Sequence, residues 1–363
     1  MSPSTPLKLA ILDDYASISL PYFQQSLGDQ VQIDTFPTTL NARIPSEHDK
    51  LVERLKPYTI ISSMRERTLF PRSVLEKLPN LKLLVTTAMR NAAIDMAACK
   101  DLGITVVGTT PKPNAVKGYD ATNEITWALI LGFAKDIVHG DAVIKSPSTS
   151  AADPNAEFGG WQTHLAMGLA GKTLGLLGLG KLGTQCGVTG VLGFGMKVLA
   201  WSSSLTQEKA DEAAQSRGLP PGTFQVAASK QDLFEKADIL SVHYVLSDRS
   251  RGIVGAAELA SMKKSAFLVN TSRGPLVDET ALVNALEAGK IRGVALDVFD
   301  TEPIPKDTPW RKHNYWGQNG RSRVLLSPHM GYVEEETMHS WYEQQSRAIA
   351  SWIKGDEVKG IMQ

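Results

Sequence analysis

The chain has 363 residues, enough for two to three domains at about 150 residues each and for a sizeable buried core. Its 38 basic and 38 acidic side chains cancel to a formal charge of zero, so nothing in the composition points to a polyanionic partner. Two cysteines argue against a disulfide-built secreted fold and exclude a Cys-x-x-Cys zinc site, while 30 glycines and 19 prolines are ordinary usage for a globular chain.

The first residues are polar and run into a strand-like stretch with no signal-peptide core. Strand candidates in the first block are Leu7–Leu12, Val31–Phe36, Thr59–Ser63, Leu81–Thr86 and Ile104–Gly108, with helices at Ser46–Tyr58, Pro71–Leu78 and Asn91–Leu102. These strands read as continuous Val, Ile and Leu rather than as alternation, the pattern of a parallel sheet buried on both faces. Pro111 to Asn114 then marks a crossing between domains, because its prolines can continue neither a helix nor a central strand. A long helix is expected near Ala121–Ile144, followed by a loose stretch Ser146–Gly160. Its apolar run, Thr126–Ala134, is far too short to span a membrane.

The second block repeats the rhythm, with strands at Leu174–Leu177, Lys197–Trp201, Ile239–Val245, Phe267–Asn270, Val294–Phe299 and Val324–Ser327. One terminal helix, Val333–Lys354, could return the chain to the first domain. The expected class is α/β, and the expected protein is cytoplasmic, with no metal, no membrane and no nucleic-acid partner.

Gly178-Leu179-Gly180-Lys181-Leu182-Gly183 follows an apolar strand and opens a helix, the context that a dinucleotide fingerprint requires. The first glycine permits the tight turn, the second lets backbone approach a pyrophosphate, and the third lets helix and strand pack closely. An acidic residue normally ends the next strand and holds the adenosine ribose. Here Trp201 is followed by Ser202, Ser203 and Ser204, with no carboxylate before Glu208. Neutral hydroxyls can donate to phosphate oxygens, and Lys209 could reach them from the next helix. The expected cofactor is therefore NADP or NAD, with NADPH accepted and mildly preferred.

Three further segments stand in order. Leu268–Asp278 contains Thr271 and Arg273, Gly293–Pro303 contains Asp297 and Glu302, and Leu326–Gly331 contains His329. Glu302 lies 29 positions after Arg273, and His329 lies 27 after Glu302. With the glycine fingerprint, these segments resemble the arginine, acidic and histidine signatures of the D-isomer-specific 2-hydroxyacid dehydrogenases. The resemblance implies two Rossmann-like or flavodoxin-like doubly wound parallel-sheet domains, with the active site in the interdomain cleft and a homodimer built partly on Ala121–Gly160. It implies a substrate domain of residues 1–112 plus 331–363 and a dinucleotide domain of residues 113–330. Asp297 would meet the nicotinamide carboxamide, unless its carboxylate is satisfied by local backbone donors. Thr271 and His243 would line the cofactor.

The chemistry of a 2-oxoacid suits the same residues. Arg273 offers a planar fork of donors for the carboxylate and carbonyl, His329 is a natural proton donor near neutral pH, and Glu302 would orient the imidazole. In the first domain, the turn Thr86 to Asn91 follows a strand and precedes a helix, so its backbone N–H groups could receive a carboxylate. Family members usually carry glycines where this chain has Ala88 and Met89, which suggests side-chain help from Arg90 or Asn91. Tyr15 and the Met338/Trp341/Tyr342 cluster could line a side-chain pocket. A glutamate at 302 argues against a formate dehydrogenase, which has glutamine there. The expected activity is reversible reduction of a 2-oxoacid to a D-2-hydroxyacid. The alternative is a corepressor-like dinucleotide-sensing binding module of the same fold. The stretch Pro309–Arg321 could cap the cleft or cover the sheet edge.

Overall fold

The computed structural model describes residues 7–111, 120–145, 161–162, 165–312 and 315–362. It divides into two compact units, residues 1–115 with 334–363, and residues 116–333. Residues 112–119, which hold most of the expected crossing, and the stretch 146–160 lie outside the described residues.

The first unit runs β1 (Leu7–Leu12), α1 (Leu20–Leu27), β2 (Val31–Phe36), α2 (Pro45–Leu55), β3 (Ile60–Ser63), α3 (Arg72–Leu75), β4 (Leu83–Thr86), α4 (Met96–Asp101) and β5 (Thr105–Gly108). Its five strands pair in parallel in the order β2-β1-β3-β4-β5. Every residue of β3 and β4 is buried, including Ser62, Ser63 and Thr86, so neither strand has a solvent face. Helix α1 was absent from the expected elements. Its apolar residues are few, and only Phe23 and Leu27 are buried.

The second unit continues with α5 (Ala121–Lys135), α6 (Ile137–Lys145), β6 (Thr173–Leu177), α7 (Lys181–Phe194), β7 (Lys197–Trp201), α8 (Gln207–Gln215), β8 (Phe224–Val226), α9 (Lys230–Lys236), β9 (Ile239–Val242), α10 (Ala256–Ser261), β10 (Phe267–Asn270), α11 (Glu279–Glu287), β11 (Gly293–Leu296) and β12 (Arg323–Leu326). Seven parallel strands lie in the order β12-β11-β10-β9-β6-β7-β8. The order reverses between β6 and β9, and ligands of open α/β sheets bind outside the carboxyl ends of strands at such a point. Helix α12 (Glu335–Lys354) belongs to the first unit, where it packs on α1 and β4.

Several expected elements are shorter or divided. The helix foreseen over Ala121–Ile144 breaks at Asp136, whose left-handed backbone (φ 56°) caps α5, while its carboxylate meets Arg323 at 2.7 Å. Asp297 does not sit within a strand, because β11 ends at Leu296. Met338, Trp341 and Tyr342 are buried on α12, and Tyr342 meets Phe23 edge-on at 6.3 Å, so this stripe is core rather than pocket lining. In the Pro309–Arg321 stretch, Trp310 joins the second unit's core, and Tyr315 donates to Glu287 of α11 at 2.7 Å. That stretch covers its own sheet's flank. His313 and Asn314 lie outside the described residues.

Candidate active site

Arg273, Glu302 and His329 follow the carboxyl ends of β10, β11 and β12, three adjacent strands of one parallel sheet. Parallel neighbours end on the same edge, which is how residues 29 and 27 positions apart come to one side of the second unit. His329 Nδ1 lies 2.5 Å from Glu302 Oε2, with about one-sixth of each side chain exposed. The carboxylate can only accept, so Nδ1–H donates to it. Glu302 Oε1 in turn accepts from Phe299 N–H at 2.9 Å. His329 adopts a left-handed backbone (φ 56°), and the T-shaped Tyr332 ring stands 5.4 Å from its own. Both contacts fix the imidazole plane.

The arginine loop is held from below. Asn270 donates to Arg273 O at 2.9 Å and accepts from Ser272 N–H at 3.0 Å, closing the turn that carries the guanidinium. Arg273 Nη1 donates to Ser272 O at 2.7 Å. Gly274 lets this turn lie against the glutamate loop, since a Cβ there would fall 2.0 Å from the Phe299 carbonyl carbon. The arginine and glutamate loops therefore touch backbone to backbone.

Asp297 follows β11 and is held by backbone donors. It is wholly buried, and its two oxygens accept from Met330 N–H at 2.7 Å and Gly331 N–H at 2.9 Å. Local backbone donors satisfy it, and it pins the segment just after His329. Thr271 is likewise engaged, with its hydroxyl 2.7 Å from Thr126 Oγ1.

The glycine loop forms a cradle at the reversal between β6 and β9. Gly178 has φ 103°, and a Cβ there would lie 2.5 Å from His243 O; one on Gly183 would lie 2.1 Å from Gly178 O. Gly180, the N-cap of the 14-residue α7, has no side-chain cap and no atom within 4 Å of its Cβ direction. Helix α7 thus begins directly on the glycine loop with no side chain capping its first turn, as a pyrophosphate site requires. Leu179 packs on the core beneath, and Lys181 is drawn aside to Asp120 at 3.0 Å. His243 Nε2 lies 2.9 Å from Ser241 Oγ, while its buried Nδ1 has no hydrogen-bond partner among the described residues. Burial holds its pKa down at about 4, so the ring is neutral beside the cradle. An orphaned ring nitrogen, and a loop closed to a Cβ at Gly178 and Gly183 but open at Gly180, both fit a bound dinucleotide. Ser202, Ser203 and Ser204 follow β7, and Lys209 Nζ reaches back to Ser204 O at 2.9 Å. Among the described residues no group of three His, Cys, Asp or Glu side chains could hold a metal ion, and no helix is long and apolar enough to cross a membrane.

In the first unit, the turn after β4 differs from expectation. Ala88 has φ 69°, and its N–H is taken by Thr109 Oγ1 at 2.7 Å. The Asn91 amide donates to Arg65 O at 2.6 Å and Thr86 Oγ1 at 2.9 Å, and accepts from Ala93 N–H. Asn91 is thus a fastener of the turn, not a side chain open to substrate. Met89 and Arg90 remain exposed at its tip. Arg65, which the sequence reading passed over, has φ 47° and stands 5.8 Å over the Trp341 ring.

The sequence profile of the D-isomer specific 2-hydroxyacid dehydrogenase NAD binding domain matches residues 128–331. A glyoxylate reductase of Aeropyrum pernix is 33% identical over 319 residues, 87% of this chain and 82% of the relative. The chain belongs to the D-isomer specific 2-hydroxyacid dehydrogenase family. It is an oxidoreductase of the CH–OH group with a nicotinamide-binding domain. Among solved structures, a phosphoglycerate oxidoreductase of Vibrio cholerae shares 31% identity and a TM-score of 0.78 over 96% of this chain and 99% of its own. The D-lactate dehydrogenase of Aquifex aeolicus, complexed with NAD and lactic acid, shares 25% identity and a TM-score of 0.66 over 96% of each chain.

Sequence reasoning missed Asn270, Gly274 and Arg65. Asn270 and Gly274 sit inside the arginine signature, where a polar residue ending an apolar strand and a glycine after the arginine were available signals. Arg65 has no signal of that kind.

Proposed function

We propose that the enzyme reduces a small 2-oxoacid to the D-2-hydroxyacid, with Arg273, Glu302 and His329 as its catalytic group. Arg273 receives the substrate carboxylate and polarises the carbonyl through its paired donors. His329 gives its Nε2 proton to the oxygen as negative charge develops there, and takes it back in the oxidative direction. Glu302 holds Nδ1–H, so Nε2 is the nitrogen that exchanges the proton. The loop Gly178–Gly183 would hold the pyrophosphate of a nicotinamide dinucleotide, which when bound would supply the hydride. The observation that carries this reading is the 2.5 Å contact between His329 Nδ1 and Glu302 Oε2, which leaves Nε2 with no hydrogen bond among the described residues.

NADPH is accepted and mildly preferred, with NADH used as well, because hydroxyls and Lys209 replace the carboxylate that would repel a 2′-phosphate. A homodimer is supported by exposed apolar side chains on and after α6, namely Ile137, Val138, Ile144, Trp161 and Leu165. Two buried free thiols, Cys99 and Cys186, accord with a cytoplasmic, reducing setting. The binding-module alternative is not favoured, since the named relatives are reductases and dehydrogenases.

Arg273→Lys tests the assignment. Lysine keeps the charge and loses the planar fork, so kcat/KM for pyruvate or glyoxylate should fall by about 100-fold while cofactor affinity stays level. An unchanged kcat/KM would remove Arg273 from the reaction.

A further inference from the structure

Tyr244 lies two residues beyond β9, and Ser203 lies two beyond β7. Between those strands runs β6, whose carboxyl end opens the glycine loop. The Tyr244 side chain spans that end. Its hydroxyl accepts from Ser203 N–H at 3.1 Å and donates to Ser203 Oγ at 3.2 Å. The ring packs against the core of the unit, so the phenol is held at its base as well as at its tip.

We propose that Tyr244 is a positioning residue for cofactor choice, a clasp that sets Ser203 to donate to the 2′-phosphate of NADP. The inference rests on the cofactor reading above and adds the residue that makes a serine loop selective. A serine hydroxyl that already accepts from Tyr244 has its own proton left to give. Ser203 N–H is also taken, so backbone and side chain of the residue are both fixed by the one phenol. The loop therefore faces solvent with donors. Lys209 Nζ, 2.9 Å from Ser204 O, brings a positive charge to the same loop. The nearest carboxylate in sequence, Glu208, lies in the first turn of α8 and is exposed. A phosphomonoester dianion suits this surface better than a ribose hydroxyl, which needs an acceptor such as a carboxylate. The reach of Tyr244 across β6 also ties the loop after β7 to the loop carrying His243, whose carbonyl abuts Gly178.

Calorimetric binding of 2′,5′-ADP and 5′-ADP separates the phosphate from the rest of the cofactor and needs no turnover. Tyr244→Phe keeps the packed ring and removes only the hydroxyl, so the fold is preserved. It should weaken 2′,5′-ADP by about fivefold and 5′-ADP by less than about twofold, the loss expected for one oriented hydrogen-bond donor. Ser203→Ala should do the same, and the double variant should be no weaker than Ser203→Ala alone, because the two residues act as one donor. A 2′,5′-ADP affinity that is unchanged or tighter in Tyr244→Phe overturns the clasp. Equal binding of the two probes by the unaltered protein is instead a failure of the cofactor reading itself.

Discussion

A histidine with one nitrogen tied to a carboxylate, and the other assigned to substrate in the proposed reaction, divides its labour within a single ring. At His329 it comes from two contacts, Glu302 on the nitrogen and Tyr332 against the ring face. His243 shows the opposite use of imidazole. Buried beside the glycine loop, it is held neutral with its pKa lowered to about 4. The unfolded ring titrates near 6.5, so between pH 6.5 and 4 the unfolded chain binds the extra proton and the folded one does not. Stability contributed by neutral His243 is therefore full above about pH 6.5 and is lost as pH falls towards 4. Urea unfolding at pH 7 and pH 4.5 should show the wild type losing about 2 kcal/mol more than His243→Gln. Equal losses in the two proteins would mean that His243 is charged in the fold. The catalytic candidates were legible in the sequence because each sits in a short signature. What the sequence did not convey at Asn91, Thr271 and Asp297 is the internal hydrogen bonding of their side chains, for one physical reason. Their polar atoms are consumed by partners such as Arg65, Thr126 and Met330, which are remote in sequence.

Among the elements, strand ends were easier to read than helices. Buried parallel strands announce themselves as apolar runs, and the registers of β1, β2, β7 and β10 match the expected stretches residue for residue. Strand β8 escaped because it has three residues and a polar centre, and α1 because only two of its residues face the core. What no pattern conveys is how closely two loops approach. Gly274 is the clearest case, with Phe299 carbonyl atoms 2.0 and 2.1 Å from where a Cβ would stand. Neither the arginine turn nor the glutamate loop can yield without moving one of the catalytic candidates, Arg273 or Glu302. Gly274→Ala should therefore lower stability by about 1–3 kcal/mol and cut kcat/KM by more than about tenfold, read by thermal unfolding and initial rates. Wild-type kinetics in a destabilised variant would show that the contact serves packing alone.

At the scale of the whole molecule, both units are doubly wound parallel sheets. The second unit holds the glycine cradle and all three catalytic candidates on the ends of adjacent strands. The first holds the Ala88–Asn91 turn, tightened by its own side chains around an exposed tip. Family and fold were legible because four ordered motifs coincide. Cofactor choice was only half legible, since the serines after Trp201 are visible in the sequence whereas the Tyr244 clasp joining β9 to β7 is not. The most direct measurement uses reduced cofactor carrying deuterium at the transferable position, NADPH and NADH in turn, with pyruvate, glyoxylate and hydroxypyruvate. Magnetic resonance and chiral analysis of the products should show a single deuterium at C2, and the D isomer wherever C2 is a stereocentre. Tight cofactor binding with no deuterium passed to any 2-oxoacid would contradict the account.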